Sequence, residues 1–246
     1  TIVAANTFDK GVYLNGSTTV GLSIQGFIAA VPASTTINVL GGTYTENVDA
    51  TGNSVTLAPG ASTSKVVING SLLMDANDGL AFDVNGVTAG AGYDQFEVAG
   101  AVTLGGAASS FGGTYPVFTG QTIVLVSNDM ADPVTGILAG LAEGATIPNF
   151  IGSGLPAQIS YTGGDGNDVV LTILGVSVVG PNLVIESPSG SGTSNDSVTL
   201  VINGPNLRLS DPNNPLFAGP GAVQIDPNTI EIPLASLTGS IVFQGT

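Results

Sequence analysis

Apolar positions along this chain come in short runs rich in Val, Ile, Leu and Thr, cut off by glycine, asparagine or aspartate. Thr-Ile-Asn-Val at 36–39, Val-Thr-Leu-Ala at 55–58, Val-Val-Ile at 66–68, Leu-Leu-Met at 72–74, Ala-Val-Thr-Leu at 101–104, Thr-Ile-Val-Leu-Val at 122–126 and Ala-Gln-Ile-Ser-Tyr at 157–161 are examples. Runs of this length and composition, bounded by turn formers, read as strands. No window of residues 90–172 sustains helical spacing. The exception in the chain is 23–31, where Ile24, Phe27, Ile28 and Val31 share a helical face, Ser23 offers a cap and Pro32 a stop. Gly26 weakens that helix, and a strand is the alternative there. Residues 36–48 predict strand, turn and strand, with Gly41-Gly42 at the turn. Near the start, Gly11-Val12-Tyr13-Leu14 before Asn15-Gly16 predicts an edge strand or a hairpin.

Successive strands at spacings of about 10–15 residues suit the rungs of a solenoid. After Thr172 the texture changes. Asn-Leu-Val-Ile (182–185) and Asn-Leu-Arg-Leu (206–209) each follow a Gly-Pro pair, at 180–181 and 204–205. Residues 190–196 and 211–215 read as turns or loops, and 230–234 and 240–243 as late strands. Proline in these last strands points to sheet edges.

Two stretches resemble known families. Ser-Ile-Gln-x-x-Ile-Ala-Ala from Ser23, Thr-Ile-Asn-Val from Thr36 and Gly-Thr-Tyr-Thr-Glu-Asn-Val from Gly42 are similar to the opening of pectin-lyase-like proteins. That resemblance implies a right-handed parallel β-helix with a short amphipathic capping helix. Residues 79–173 resemble the autotransporter-type β-repeat of large repetitive bacterial surface and exported proteins. The resemblance is carried by Gly-Ala-Gly-Tyr-Asp-Gln-Phe (90–96), Gly-Leu-Ala-Glu-Gly-Ala (140–145) and Ile-Ser-Tyr-Thr-Gly-Gly-Asp-Gly-Asn-Asp-Val-Val-Leu (159–171). It implies a passive role in fibres, adhesins or surface layers.

Composition narrows the partners. Eighteen acidic residues against Lys10, Lys65 and Arg208 give a formal charge of −15. Phosphate backbones are held by Lys and Arg, so nucleic acid is excluded, and anionic membrane surfaces repel the chain. No apolar run approaches the roughly 20 residues that span a bilayer. The charge either keeps a glycine-rich chain soluble or draws cations such as calcium. With no cysteine there are no disulfides or thiolate sites. The first residues lack the basic start of a signal peptide, and the chain reads as a mature or excised piece.

The strongest candidate chemistry is Gly163-Gly164-Asp165-Gly166-Asn167-Asp168-Val169-Val170-Leu171, which fits the calcium-binding pattern Gly-Gly-x-Gly-x-Asp-x-U-x. One such turn supplies about half of calcium's six to eight oxygens, so the expected ligands are Asp165 and Asp168 with Asp94 from the related 90–96 segment. A tight turn without an ion is the alternative. Catalysis finds few candidates: there is no His or Cys, and Ser chemistry lacks its base. Paired carboxylates remain, with Asp75, Asp78 and Asp83 as the best group, although Asn77 and Gly79 among them mark a solvated turn. Nine Phe, five Tyr and no Trp offer few platforms for sugars. Lys10 and Lys65 could instead form covalent cross-links to Asn or Asp.

Together these readings predict an all-β chain. Residues 1–174 are expected to form a right-handed parallel β-helix: lead-in 1–22, capping helix and first coils 23–78, repeat unit 79–174. Residues 175–246 form a further β unit or the start of the next repeat. The expected role is a non-catalytic structural segment of an extracellular bacterial surface or fibre protein that associates with copies of itself or neighbouring repeats. A glycan-binding or adhesin solenoid is the second expectation, and a polysaccharide-degrading enzyme the third.

Overall fold

The computed structural model describes residues 12–16 (backbone only), 23–129, 132–186 and 197–244. The predicted lead-in at 1–11 and 17–22, including Lys10, and the predicted loop at 190–196 lie outside the described residues. Strands hold 48% of the chain and helices 5%, which makes it all-β. It divides into two units, each discontinuous in sequence. One comprises Thr1–Gly113, Val124–Gly140 and Tyr161–Val170, the other Thr114–Ile123, Leu141–Ser160 and Leu171–Thr246.

In the first unit the strands are β1 (Val12–Gly16), β2 (Thr35–Tyr44), β3 (Val48–Asp49), β4 (Val55–Pro59), β5 (Lys65–Ile68) and β6 (Leu72–Leu73), followed by β7 (Gly79–Asp83), β8 (Gln95–Val98), β9 (Val102–Thr103), β10 (Ala108–Gly112) and most of β11 (Thr122–Asn128). They pair in parallel along three ladders. β1, β2, β4, β7 and β10 form one, β2, β5, β8 and β11 the second, and β3, β6 and β9 the third. Register explains the hydrophobic pattern. Ile37, Leu57 and Leu80 stand side by side, as do Val66, Phe96 and Val126, and Val48, Leu72 and Val102. All nine side chains are buried. Their neighbours at odd offsets point outward, for example Val67, Glu97 and Ser127. Each row thus repeats in successive passes of the chain what the alternation predicts in one.

The corners need glycine. The Gly100 amide donates to the Gly70 carbonyl at 3.0 Å, and a β-carbon on Gly100 would stand 2.9 Å from the Gly70 carbonyl carbon. No side chain fits between passes that close.

The predicted helix exists as α1 (Ile24–Ile28), shorter than its pattern. Ser23 Oγ accepts from the Gly26 amide at 2.8 Å, and Ile24, Phe27 and Ile28 are buried. Gln25 exchanges bonds with the Asp49 backbone (3.0 and 2.6 Å), and Glu46 accepts from the Ile24 amide at 2.6 Å. These contacts tie the helix to the first pass of strands. Two expectations need correction. Gly41-Gly42 does not turn the chain back; β2 continues through it, pairing β4 before the glycines and β5 from Gly42 onward. At 11–16 the edge strand forms and the hairpin does not: Asn15-Gly16 stays within β1, which among the described strands pairs with β2 alone, in parallel and through a register shift.

After β11 come β12 (Thr146–Ile147), β13 (Ala157–Gly163) and β14 (Asp168–Ile173). The second unit continues with β15 (Gly175–Val179), β16 (Asn182–Glu186), β17 (Thr199–Asn203), β18 (Asn206–Ser210), β19 (Val223–Asp226), β20 (Thr229–Pro233) and β21 (Ile241–Gln244). Here pairing is mainly antiparallel, in two sheets ordered β15-β16-β21 and β17-β18-β20-β19. The two Gly-Pro-Asn sequences close two equivalent hairpins. Gly180 and Gly204 both have φ +60°, and the flanking residues pair as Val179 with Asn182 and Asn203 with Asn206. A glycine with positive φ in first place is what a two-residue hairpin turn of matching twist requires. The core joins Val176, Leu183 and Ile185 of one sheet to Leu207, Leu209, Ile230 and Ile232 of the other. Of the two late strands expected at sheet edges, β21 is at one and β20 is not, because β20 lies between β18 and β19. Pro233 is the last residue of β20, beyond the residues that β19 pairs, so its missing N–H interrupts no bond there.

The inner faces outrun their cover at two edges. Register sets Ile241 and Phe243 beside Leu183 and Ile185, and Ile202 beside Leu207. Leu183, Ile185 and Leu207 are buried, whereas Ile241, Phe243 and Ile202 are 44%, 57% and 70% exposed.

Candidate functional site

Three aspartates and an asparagine of the first unit bind main-chain amides, each with at least one partner on another pass of the chain. Asp94, 2% exposed, accepts from the Ser64 amide through Oδ1 at 2.7 Å and from the Asp83 amide through Oδ2 at 2.8 Å. Asp78 accepts from Val55 at 3.2 Å and from Asp75 at 2.9 Å. Asn47 Oδ1 accepts from Ser71 at 2.9 Å, and Asp168 Oδ1 from Asn128 at 2.8 Å. The Val55, Ser64, Ser71 and Asn128 amides lie 23 to 40 residues from their acceptors in sequence, whereas the Asp75 and Asp83 amides lie 3 and 11 residues away. Where a pass leaves its strand the ladder bond is lost, and these side-chain oxygens replace it.

Asp94 borders a shallow groove of about 310 Å³ on the outer side of β4, β7 and β10, together with Asn38, Asp83 and Phe111. Burial pushes its carboxyl up to about 7, against the pull of its two amide donors and with help from Asp83. A carboxyl of that pKa beside a groove is the raw material of acid–base chemistry. Here both of its oxygens are already held by the backbone. Sequence reading placed Asp94 at a calcium turn and missed this role, because nothing in 90–96 signals which distant amides it meets.

In the trio Asp75, Asp78 and Asp83, the carboxylates of Asp75 and Asp78 accept from main-chain amides. Asp75 accepts from the Asn77 amide at 2.7 Å and the Gly52 amide at 2.7 Å, which hold its carboxyl below the usual range. Asp78 is buried rather than solvated as expected, and burial raises its carboxyl. Asp83 contributes its amide to Asp94.

These shifts set a pH dependence. A carboxyl raised in the fold stabilises it fully below about pH 4, the unfolded value, and loses that contribution as pH rises through the folded value. For Asp94 the window runs from about pH 4 to about 7. Asp78, Asp168 and Glu186 are raised too and act with the same sign. Asp75, Asp211 and Glu231 are lowered and oppose this only as pH falls below about 4. Thermal melts are therefore expected to give a higher Tm at pH 5 than at pH 8. A Tm that rises steadily towards pH 8 contradicts this assignment.

The Gly163–Leu171 motif forms the β13–β14 turn. Gly164 has φ +59°, and Asp168 Oδ2 packs where its β-carbon would be, so glycine is required twice over. Asn167 and Asn128 are buried beneath the turn. Asn128 Nδ2 donates to the Asp132 carbonyl at 2.5 Å; Asn167 Nδ2 donates to the same carbonyl at 2.9 Å and also to that of Asp129. Burial raises the Asp168 carboxyl, with Asp165 adding to the effect. Asp94 and Asp168 thus serve different amides, Asp165 is exposed, and no three His, Cys, Asp or Glu side chains gather around a metal position among the described residues.

Among the described residues the basic side chains are paired. Lys65 meets Glu97 at 2.7 Å, both ends exposed, and Arg208 meets Glu231 at 2.7 Å on the outer face of the β17–β20 sheet. Tyr44, Tyr93 and Tyr161 are buried, and Tyr161 Oη accepts from the Leu138 amide at 2.9 Å. No family model matches the chain, and no curated protein or solved structure matches it either.

Proposed function

We propose that the chain is a non-catalytic structural segment of an extracellular bacterial surface or fibre protein, with a right-handed parallel β-helix as the body of its first unit. The observation that carries this reading is the use of its buried carboxylates. Asp78, Asp94 and Asp168 each accept from main-chain amides in a different pass of the chain, so the groups that acid–base chemistry needs hold the coils together instead. The resemblance of residues 79–173 to autotransporter-type repeats supports the same reading. Stacked coils satisfy their backbone bonds between passes and bury one continuous core, a construction suited to bearing load.

Self-association follows from the second unit. β17 and β21 are sheet edges, and Ile202, Ile241 and Phe243 extend their apolar faces into solvent. An uncovered edge with β-branched and aromatic residues is a template for another strand. With a charge of −15 per chain, association is expected to strengthen with salt, which screens the repulsion. Sedimentation velocity is expected to show concentration-dependent oligomers at 0.5 M NaCl, lost in an Ile202→Lys, Phe243→Lys double variant. A wild-type chain that stays monomeric at its highest soluble concentration contradicts the proposal.

A second reading, a glycan-binding surface, is favoured by the groove around Asn38, Asp83 and Phe111. Glycan-array binding that is lost on Phe111→Ala would bring it forward.

A further inference from the structure

The polar knot under the Gly163–Asp168 turn has more oxygens than donors. Asn128 and Asn167 are 5% and 8% exposed, and the Oδ1 atom of each is buried without a hydrogen-bond partner. Leaving one buried acceptor unpaired is costly, and two in one place is not how a self-sufficient network is built. Both amides converge on one point, the Asp132 carbonyl, with the Asp129 carbonyl beside Asn167. Asp168 closes the group, its Oδ1 on the Asn128 amide and its Oδ2 turned to the backbone of Gly164.

A half-turn about χ2 exchanges the oxygen and nitrogen of an asparagine amide. Made by Asn128 and Asn167, it would bring both Oδ1 atoms up to the carbonyls that their nitrogens now meet. Oxygen against oxygen is repulsive by itself and favourable around a cation. Two amide oxygens, two main-chain carbonyls and one carboxylate are all hard, neutral or anionic ligands, the set that calcium accepts in irregular geometry. Magnesium, which demands a near-octahedral shell and holds its water, suits such an arrangement less well.

We propose that Asn128, Asn167, Asp168 and the main-chain carbonyls of Asp129 and Asp132 form a calcium site that locks the β13–β14 turn onto the segment after β11. It differs from the ligand set read from the motif, since Asp94 is engaged elsewhere and Asp165 stands outside at the surface. The site does not depend on the structural role proposed above.

The test is calorimetric titration of chelator-treated chain with calcium chloride in 150 mM NaCl, which suppresses diffuse binding to the acidic surface. One equivalent is expected to bind and to raise Tm, with magnesium giving a smaller rise. Asp168→Asn keeps the side chain's shape and is expected to weaken binding by at least about tenfold. Asn167→Ala should act alike, and Asn167→Asp should restore binding by returning an oxygen with added charge. Asp165→Asn should change affinity less than about threefold, as expected for an exposed charge. The proposal is overturned by absence of saturable binding at millimolar calcium, which leaves trapped water as the partner of the two oxygens. It is equally overturned by the same loss in Asp165→Asn as in Asp168→Asn, the mark of diffuse charge attraction.

Discussion

Replacing Asp94 with alanine is expected to lower the stability of the first unit by about 1–3 kcal/mol at pH 5, since two half-buried amides lose their acceptor at about 0.5–1.5 kcal/mol each. The Ser64 amide lies on the preceding pass and the Asp83 amide 11 residues before Asp94 on the same pass, so one substitution removes a bond between passes and a bond that closes the β7–β8 connection. The loss is expected to be smaller at pH 8. There the wild type carries a buried charge, in a carboxyl raised to about 7, and removing it offsets part of the damage. Asparagine is a poor substitute, because one of its two ends would point an N–H at an N–H. Urea melts at the two pH values measure both effects. A loss under about 0.5 kcal/mol, the scale of an ordinary surface substitution, would contradict the role given to Asp94.

Phe96→Ala is the second large effect, expected at about 3–5 kcal/mol from lost burial and the cavity left behind. Phe96 is fully buried on β8, between Val66 and Val126 in register, and meets Phe82 edge to face at 6.1 Å. The gap would open in the middle of a row, where flanking strands are held by bonds on both sides and cannot close in. Its neighbour Glu97 faces outward to Lys65 with both charges exposed, and Glu97→Ala is expected to cost less than about 1 kcal/mol. Similar losses at the two positions would mean that the inside and outside of β8 are misassigned. Against a typical total of about 5–15 kcal/mol, the Phe96 loss is enough to threaten folding.

Much of the secondary structure was legible because it rests on local rules. Apolar runs bounded by turn formers mark β4, β5 and β11, the Ser23 cap and apolar face mark α1, and the repeated Gly-Pro marks the entries of β16 and β18. Local rules also account for the misreadings. Gly41-Gly42 reads as a turn, but bonds to two different neighbouring strands keep it extended. Pro233 reads as an edge signal, yet what matters is that β19 has stopped pairing before it. The candidate sites were less legible. Asp94, Asp78 and Asp168 sit in glycine-rich turns that read as solvated or calcium-binding, and whether such a carboxylate meets water, an ion or an amide depends on residues tens of positions away. Asn128 carries no signal before the fold brings it to Asn167, which stands at an unspecified position of the Gly163–Leu171 motif.

The central claim is that the buried carboxylates hold one pass of chain to the next. Amide hydrogen exchange at Val55, Ser64, Asp83 and Asn128, the donors to Asp78, Asp94 and Asp168, tests it most directly. All four are expected to be protected as well as ladder amides such as that of Phe96, with protection at Ser64 and Asp83 lost selectively in Asp94→Ala. Exchange of these four amides at the rate of exposed loops in the unaltered chain would contradict it.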